Sequence, residues 1–193
     1  MTTIYFVTNR DPNEAEPPTG YGTSLHPISP DYLRFGQASV AGNGRITVKT
    51  APEKVEVEPG DSQVLGSARV FSELHRSMLA GHDTIVYIHG YNVDFKDAVK
   101  AAVAVEQRYG AVPRSKKRRN VVLFTWPSNG SMLPFMAYKS DRSEARISGE
   151  ALARALGKLV ALLKDLRRDP GQVCDARLHL MCHSMGNYVL RCG

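Results

Sequence analysis

Residues 178–187 read LHLMCHSMGN, a short apolar run that leads into a serine and then into a helical pattern. Such a run is typical of a nucleophile elbow, a strand that turns sharply into a helix and exposes a serine hydroxyl at the turn. The turn needs a small residue two positions after the serine because the strand and helix backbones approach closely there, and Gly186 meets that need. Cys182 stands where the strict pattern has glycine. The stretch predicts Ser184 as a nucleophile, with a helix-capping serine as the structural alternative.

The surroundings of Ser184 in the sequence do not supply an obvious base. Ser184 lies nine residues before Gly193, whereas an elbow serine takes its acid and then its histidine from later in the chain. Alternate side chains at a strand end point apart, so His183 is expected to face away from the serine, and His179 is too far back along the strand. His89 is expected to have a structural role, orienting the loop that follows it. Asp141 precedes the serine and is more simply a salt-bridging or helix-capping residue than a triad acid.

The composition fits a globular chain with one core. The sequence has 193 residues, 42% hydrophobic and 23% charged, with a formal net charge of +6. A basic cluster at 114–119 lacks interleaved aromatic residues, so we interpret it as a solvated loop and predict no nucleic-acid partner. Three scattered cysteines predict reduced thiols and no metal site. No segment suits a signal peptide or a membrane span, so we expect a cytoplasmic location.

Residues 1–60 predict a β-rich N-terminal part with a solvated face. Apolar alternation predicts short strands, at 4–7, 33–40, 45–50 and 55–58. Five prolines between residues 12 and 30 favour an irregular loop, to which no element is assigned.

Residues 61–193 predict an α/β core in which strands and helices alternate. Continuous apolar runs suit strands buried on both faces of a parallel sheet, at 84–88 and 121–126, and residues 176–182 predict the last strand. Helical spacing predicts helices at 61–81, 94–110 and about 143–168, with a loop at 128–138. This alternation predicts a mostly parallel, doubly wound α/β sheet with right-handed crossovers, in a single domain of residues 1–193.

Three stretches together resemble the α/β-hydrolase superfamily: IVYIHGYN at 85–92, FTWPS at 124–128 and CHSMGN at 182–187. More narrowly, they are similar to a bacterial family of uncharacterised esterase- or lipase-like serine hydrolases, as are TNR at 8–10 and the spacing of Tyr138 and Asp141. The resemblance implies an α/β-hydrolase sheet that is incomplete at its C-terminal side, because the elbow strand of the superfamily lies in the middle of the sheet.

The resemblance also implies roles for residues around Ser184. The backbone N–H groups of Tyr91 and Met185 would form the oxyanion hole, and the site would be supported by five further residues: His89, Gly90, His183, Gly186 and Trp126. Trp126 is most simply core or cleft wall, with direct substrate contact as the alternative. The apolar cluster from Met132 to Met136 is expected to be either a lid over an acyl site or a packed loop.

The leading hypothesis is therefore a serine hydrolase that acts on a small-molecule or lipid-like carboxylic ester through an acyl-enzyme on Ser184, without a cofactor. The triad acid and histidine are expected beyond residue 193 or from another chain, so we expect a truncated chain, a fragment, or one half of a complex whose partner covers the exposed sheet edge. An incomplete triad would leave the chain inactive by itself. The alternative is a non-catalytic binding module derived from a hydrolase fold.

Overall fold

The computed structural model describes residues 2–52, 54–55, 64–110, 119–128, 134–166 and 176–193. The strands are β1 (Thr2–Thr8), β2 (Arg10–Pro12), β3 (Tyr21–Leu25), β4 (Arg34–Val40), β5 (Ile46–Thr50), β6 (Lys54–Val55), β7 (Val64–Leu65), β8 (Thr84–Ile88), β9 (Asn120–Thr125) and β10 (Leu178–Cys182). The helices are α1 (Gly66–Leu79), α2 (Phe95–Gly110), α3 (Pro134–Leu166) and α4 (Gly186–Cys192).

Six strands form one sheet in the order β10-β8-β9-β1-β4-β5. The first four are parallel to one another, whereas β4 pairs antiparallel with both β1 and β5. The register pairs Ile88 with both Cys182 and Phe124, so the carboxyl ends of β8, β9 and β10 are level, and β1 ends level with β9. The residues that follow β10, β8, β9 and β1 therefore meet at the carboxyl-terminal end of the sheet. The prediction of a mostly parallel, incomplete α/β sheet is confirmed.

Helices cover both faces of this sheet. On one face, α1, α3 and α4 pack against strand side chains that include Val86, Val122 and Trp126. On the other face, α2 packs against Ile85, Leu123 and their neighbours. β8 and β9 lie inside this sandwich and are buried almost throughout, which explains why their sequences are continuous β-branched and aromatic runs rather than alternating ones.

Two predictions about connecting segments are wrong. The segment 12–30 was expected to hold no element, yet β3 (Tyr21–Leu25) forms there by pairing with β2. The loop expected at 128–138 is interrupted because α3 begins at Pro134, about nine residues before the predicted start. Proline is favoured in the first turn of a helix, where its missing N–H costs nothing.

Several predicted features fall outside the described residues. These are the basic cluster at 114–118, residues 56–58 of the last predicted N-terminal strand, Met132 and Leu133, and the side chains of Phe135, Met136 and Asp141.

β10 lies at one edge of the sheet, next to β8. Its amino-terminal half is exposed, with 36% of Leu178 and 49% of Leu180 accessible to solvent. Met181 and Cys182, at its carboxyl end, are partly buried against the two cores. The elbow strand thus combines an anchored end near Ser184 with an exposed apolar end far from it.

Candidate active site

Ser184 occupies the turn between β10 and α4 with a positive φ of 51°, a conformation that costs a non-glycine residue energy and marks functional turns. The N–H of His183 donates to the carbonyl of Ile88 at 2.9 Å, and the N–H of Gly186 donates to the carbonyl of His183 at 2.8 Å. A Cβ on Gly186 would lie 2.6 Å and 2.7 Å from the carbonyl oxygens of Ile88 and His89. The close approach expected of a nucleophile elbow is present.

The loop after β8 packs directly against this turn. A Cβ on Gly90 would lie 2.8 Å from Nδ1 of His183 and 3.0 Å from Cβ of Ser184, so a larger residue there would require this turn to shift. Tyr91 and Met185 line the same cavity as Ser184. The backbone N–H of Met185 donates no hydrogen bond to any residue within the described ranges. The two segments predicted to carry the oxyanion hole are therefore brought together beside the serine.

His89 is fully buried at the end of β8 and is held through both ring nitrogens. Nδ1 lies 2.8 Å from the carbonyl of Gly90, so it must carry the proton and donate. Nε2 accepts from the backbone N–H of Trp126 at 3.2 Å and lies 3.1 Å from Oγ1 of Thr125. Burial, and then the charge of Arg10, lower the pKa of His89 to about 3. The ring is a neutral Nδ1–H tautomer that positions its neighbours.

Trp126 is also fully buried and contacts His89 in two further ways. Its ring stacks on the imidazole with the centroids 5.4 Å apart and the planes 4° from parallel. Its indole Nε1–H donates to the backbone carbonyl of His89 at 3.1 Å. The core position expected for Trp126 fits this burial, and its contacts hold the loop after β8.

Arg10 is a site-supporting residue that sequence reasoning missed. Its buried guanidinium donates to the carbonyl of Val93 at 2.7 Å, to the carbonyl of Gly22 at 3.0 Å and to Oγ1 of Thr125 at 2.9 Å. It also lies 3.4 Å from Nε2 of His89. One side chain from β2 thus links the loop after β8 to the ends of β3 and β9. The TNR stretch at 8–10 was the available signal.

Ser128 and Asn92 were also missed as a pair. The backbone N–H of Asn92, a residue with a positive φ of 54°, donates to Oγ of the buried Ser128 at 2.6 Å. This bond joins the FTWPS and IVYIHGYN stretches at the site, two residues from Gly90. Neither residue could be recognised from spacing alone, because 36 positions separate them.

No histidine nitrogen hydrogen-bonds Ser184 within the described part of the chain. His183 lines a different cavity, of about 750 Å³, which is bounded by Tyr87 and Met181 on the α2 side. His179 lies 3.8 Å from the carboxylate of Asp83, at the far end of β10. The remaining three histidines are in α1, in the turn after it and beside Tyr32: His75, His82 and His26.

Ser184 opens into a cavity of about 610 Å³ between α3 and α4. Besides Tyr91 and Met185, its lining comprises two neutral polar residues of α4, Asn187 and Tyr188, and two arginines, Arg142 and Arg191. The site thus has the exposed hydroxyl of Ser184 at a strained turn and a cavity volume suited to a small organic ligand. Next to the hydroxyl lies the backbone N–H of Met185, which donates no hydrogen bond within the described ranges.

Comparison with known proteins agrees with this geometry. Residues 68–192 match a family model described as "Alpha/beta hydrolase of unknown function (DUF900)". The matched segment contains β8, β9 and β10 together with the IVYIHGYN, FTWPS and CHSMGN stretches, whereas TNR at 8–10 lies outside it. The chain belongs to this α/β-hydrolase family.

A curated relative of this α/β hydrolase is the uncharacterized protein alr1448 of Nostoc sp.. The two are 27% identical over 160 residues, which cover 73% of the chain and 36% of the relative. The chain therefore spans about a third of the length of this relative. No solved structure matches the 193-residue chain significantly.

The described parts of this α/β hydrolase contain no group of three or more histidine, cysteine, aspartate and glutamate side chains placed to hold a metal ion. Within the same residues, none of the helices has the length and apolar character needed to cross a bilayer.

Proposed function

We propose that this α/β hydrolase cleaves carboxylic esters through an acyl-enzyme on Ser184. The observation that carries the proposal is the strained, solvent-exposed Ser184 in its turn, next to the uncommitted N–H of Met185. In the first step Oγ attacks the ester carbonyl while a base takes its proton, and the carbonyl oxygen becomes an oxyanion. The C–O bond then breaks, the alcohol leaves with a proton, and water later releases the acid from Ser184.

The backbone N–H groups of Tyr91 and Met185 are proposed to donate to that oxyanion. A preorganised donor of this kind lowers the barrier by about 3 kcal/mol. The contacts of His89, Trp126 and Arg10 support this role, because they brace the loop that carries Tyr91 from behind. Gly90 and Gly186 let the two donor segments approach each other.

The base and acid are proposed to come from outside these 193 residues, either from further along a longer chain or from a partner chain. Both ring nitrogens of His89 are occupied, and His183 lines another cavity. A partner or further segment that pairs with β10 would also cover the exposed Leu178 and Leu180. The substrate is proposed to be a small-molecule ester.

The decisive experiment is labelling with a fluorophosphonate probe followed by peptide mapping. We expect the probe on Ser184 in an extended chain or in a complex with the partner chain, whichever supplies the base, and no labelling after Ser184→Ala. Ser24→Ala removes an exposed hydroxyl from β3 and should leave labelling unchanged.

The 193-residue chain should react far more slowly than the extended one, since it lacks the base. If neither the folded extended chain nor the chain with its partner is labelled at Ser184, the enzyme is contradicted and the non-catalytic binding module is favoured. Rapid labelling of the 193-residue chain would contradict the external base.

A further inference from the structure

The cavity at Ser184 has a positively charged wall. Arg142 on α3 and Arg191 on α4 both line it, and the other lining residues are neutral. No acidic residue contributes to the lining among the residues that the structure describes. The chain as a whole has a net charge of +6, so its overall charge also favours anions.

Helix geometry directs Arg191 to the same side as the nucleophile. Asn187, Tyr188 and Arg191 are spaced three and four residues apart on α4, so they share one face of the helix that begins just after Ser184. Arg191 forms no ion pair with any residue in the described ranges. Its guanidinium is thus available to a ligand that reaches Ser184.

Arg142 reaches this cavity from the neighbouring helix α3. Its guanidinium carbon lies 5.1 Å from the centre of the Tyr188 ring, within the range of a cation–π contact. This contact places the guanidinium of Arg142 against α4, the helix that also carries Arg191. Two arginines that line one cavity favour a carboxylate or another oxyanion over a neutral alkyl chain.

We infer that the ester recognised at this site carries a negative charge, which pairs with Arg191 and Arg142 while its ester carbonyl lies at Ser184. The ester half of this inference rests on the proposed function, whereas the anion-binding half does not. A monoester of a dicarboxylic acid has the required chemistry. A long-chain lipid ester, the other substrate expected from the sequence, would leave both arginines facing an apolar chain.

The test measures ligand affinity, by calorimetry, in the Ser184→Ala variant, which cannot form an acyl-enzyme. The probes are monomethyl glutarate, which carries one carboxylate, and dimethyl glutarate, which is neutral and of similar shape. We expect the charged monoester to bind about five- to tenfold more tightly at low ionic strength. This preference should shrink at about 0.5 M salt, because salt screens exposed charges.

Arginine variants assign the preference to the cavity. In the Ser184→Ala background, Arg191→Gln should remove most of the preference for the charged monoester, and Arg142→Gln should reduce that preference. Arg45→Gln is the matched control, because it removes one exposed positive charge from the turn between β4 and β5, at the opposite edge of the sheet. Equal affinity of the two esters, including no detectable binding of either, would overturn the inference. A preference that survives Arg191→Gln and Arg142→Gln together would also overturn it.

This experiment and the labelling experiment fail independently. If Ser184 is not labelled but the charged monoester binds through Arg191, the hydrolase is wrong and the anion site stands. If Ser184 is labelled and the two glutarates bind equally, the hydrolase stands and its substrate is not selected by charge.

Discussion

Gly186 lies where α4 crosses the end of β8, and no side chain fits there. The atoms that a Cβ would meet are backbone carbonyl oxygens, which cannot move aside as a flexible side chain would. Glycine is therefore required at position 186 because α4 packs closely against the end of β8. The sequence motif indicates this close packing only because such a crossing needs glycine.

We expect Gly186→Ala to lower the free energy of unfolding by about 1–3 kcal/mol, the range for forcing extra atoms into a packed site. Urea unfolding followed by circular dichroism measures the change. Gly157→Ala is the control, because Gly157 is exposed on α3 with nothing within 4 Å of the added Cβ. It should raise stability by about 0.5–1 kcal/mol, since alanine is the better helix former. Similar effects of the two substitutions would contradict this account of the elbow.

His89 makes folding sensitive to acid. Its pKa is lowered by burial and by Arg10 to about 3 in the folded chain, against about 6.5 for an exposed histidine. Above about pH 6.5 the imidazole of His89 is neutral in both the folded and the unfolded chain, so it adds no pH dependence to the free energy of unfolding. As the pH falls from about 6.5 towards 3, the unfolded chain takes up a proton that the folded chain cannot, so stability is lost.

The contribution of His89 should approach about 1.4 kcal/mol per pH unit within that window. We expect His89→Gln to be less stable near neutral pH and to lose this part of the slope. Urea unfolding between about pH 4 and pH 7 measures it. Ser24→Ala, which removes an exposed and uncharged hydroxyl from β3, should keep the wild-type slope. An unchanged slope in His89→Gln would show that the buried ring does take up a proton.

At the scale of elements, side-chain hydrogen bonds hold together the loops at the carboxyl-terminal end of the sheet. Arg10 joins β2 to β3, to β9 and to the loop after β8 through four contacts. The hydrogen bond between Asn92 and Ser128 joins the loops after β8 and β9. These loops are irregular, so their position depends on such side-chain bonds rather than on a backbone ladder.

Arg10→Lys tests this arrangement while keeping the positive charge. A lysine ammonium is a single point donor and cannot span partners as far apart as Val93 and Gly22. We expect a loss of about 2–4 kcal/mol in unfolding free energy, from several broken bonds at a buried site. Hydrogen exchange should show faster opening of the loop after β8.

Arg45→Lys, in an exposed turn, should leave both measurements unchanged. An Arg10→Lys variant with wild-type stability and exchange would mean that this network does not hold the loop.

At the scale of the whole molecule, β10 leaves one edge of the sheet open in the described structure. An exposed edge strand with apolar side chains is a template for pairing with another chain. We expect the 193-residue chain to self-associate with rising concentration, and Leu180→Lys to weaken this association by adding a charge to the edge. Sedimentation velocity over a concentration series measures it.

Ile28→Lys is the matched control for the edge, because Ile28 is 62% exposed and belongs to the loop between β3 and β4 rather than to β10. It should leave the association unchanged. Equal effects of Leu180→Lys and Ile28→Lys would assign the association to general surface hydrophobicity rather than to the edge.

The sequence by itself determined the elements whose signals are local. The runs of β8, β9 and β10 and the helical spacing of α2 have their causes within a few residues, and the family follows from motifs at the ends of those strands. The resemblance to the superfamily then implied that Tyr91 and Met185 lie beside Ser184. The chemical roles of Ser184, Tyr91 and Met185 stay predictions.

Only the tertiary structure decided the features that depend on residues far apart in the chain. The β2–β3 hairpin, the contacts of Arg10 and the bond between Asn92 and Ser128 join segments that no sequence period relates. The two arginines at the Ser184 cavity come from different helices, and each looks like an ordinary surface charge in the sequence. Hydrophobic periodicity reports which side of an element is buried, whereas a site depends on which elements the folded chain brings together.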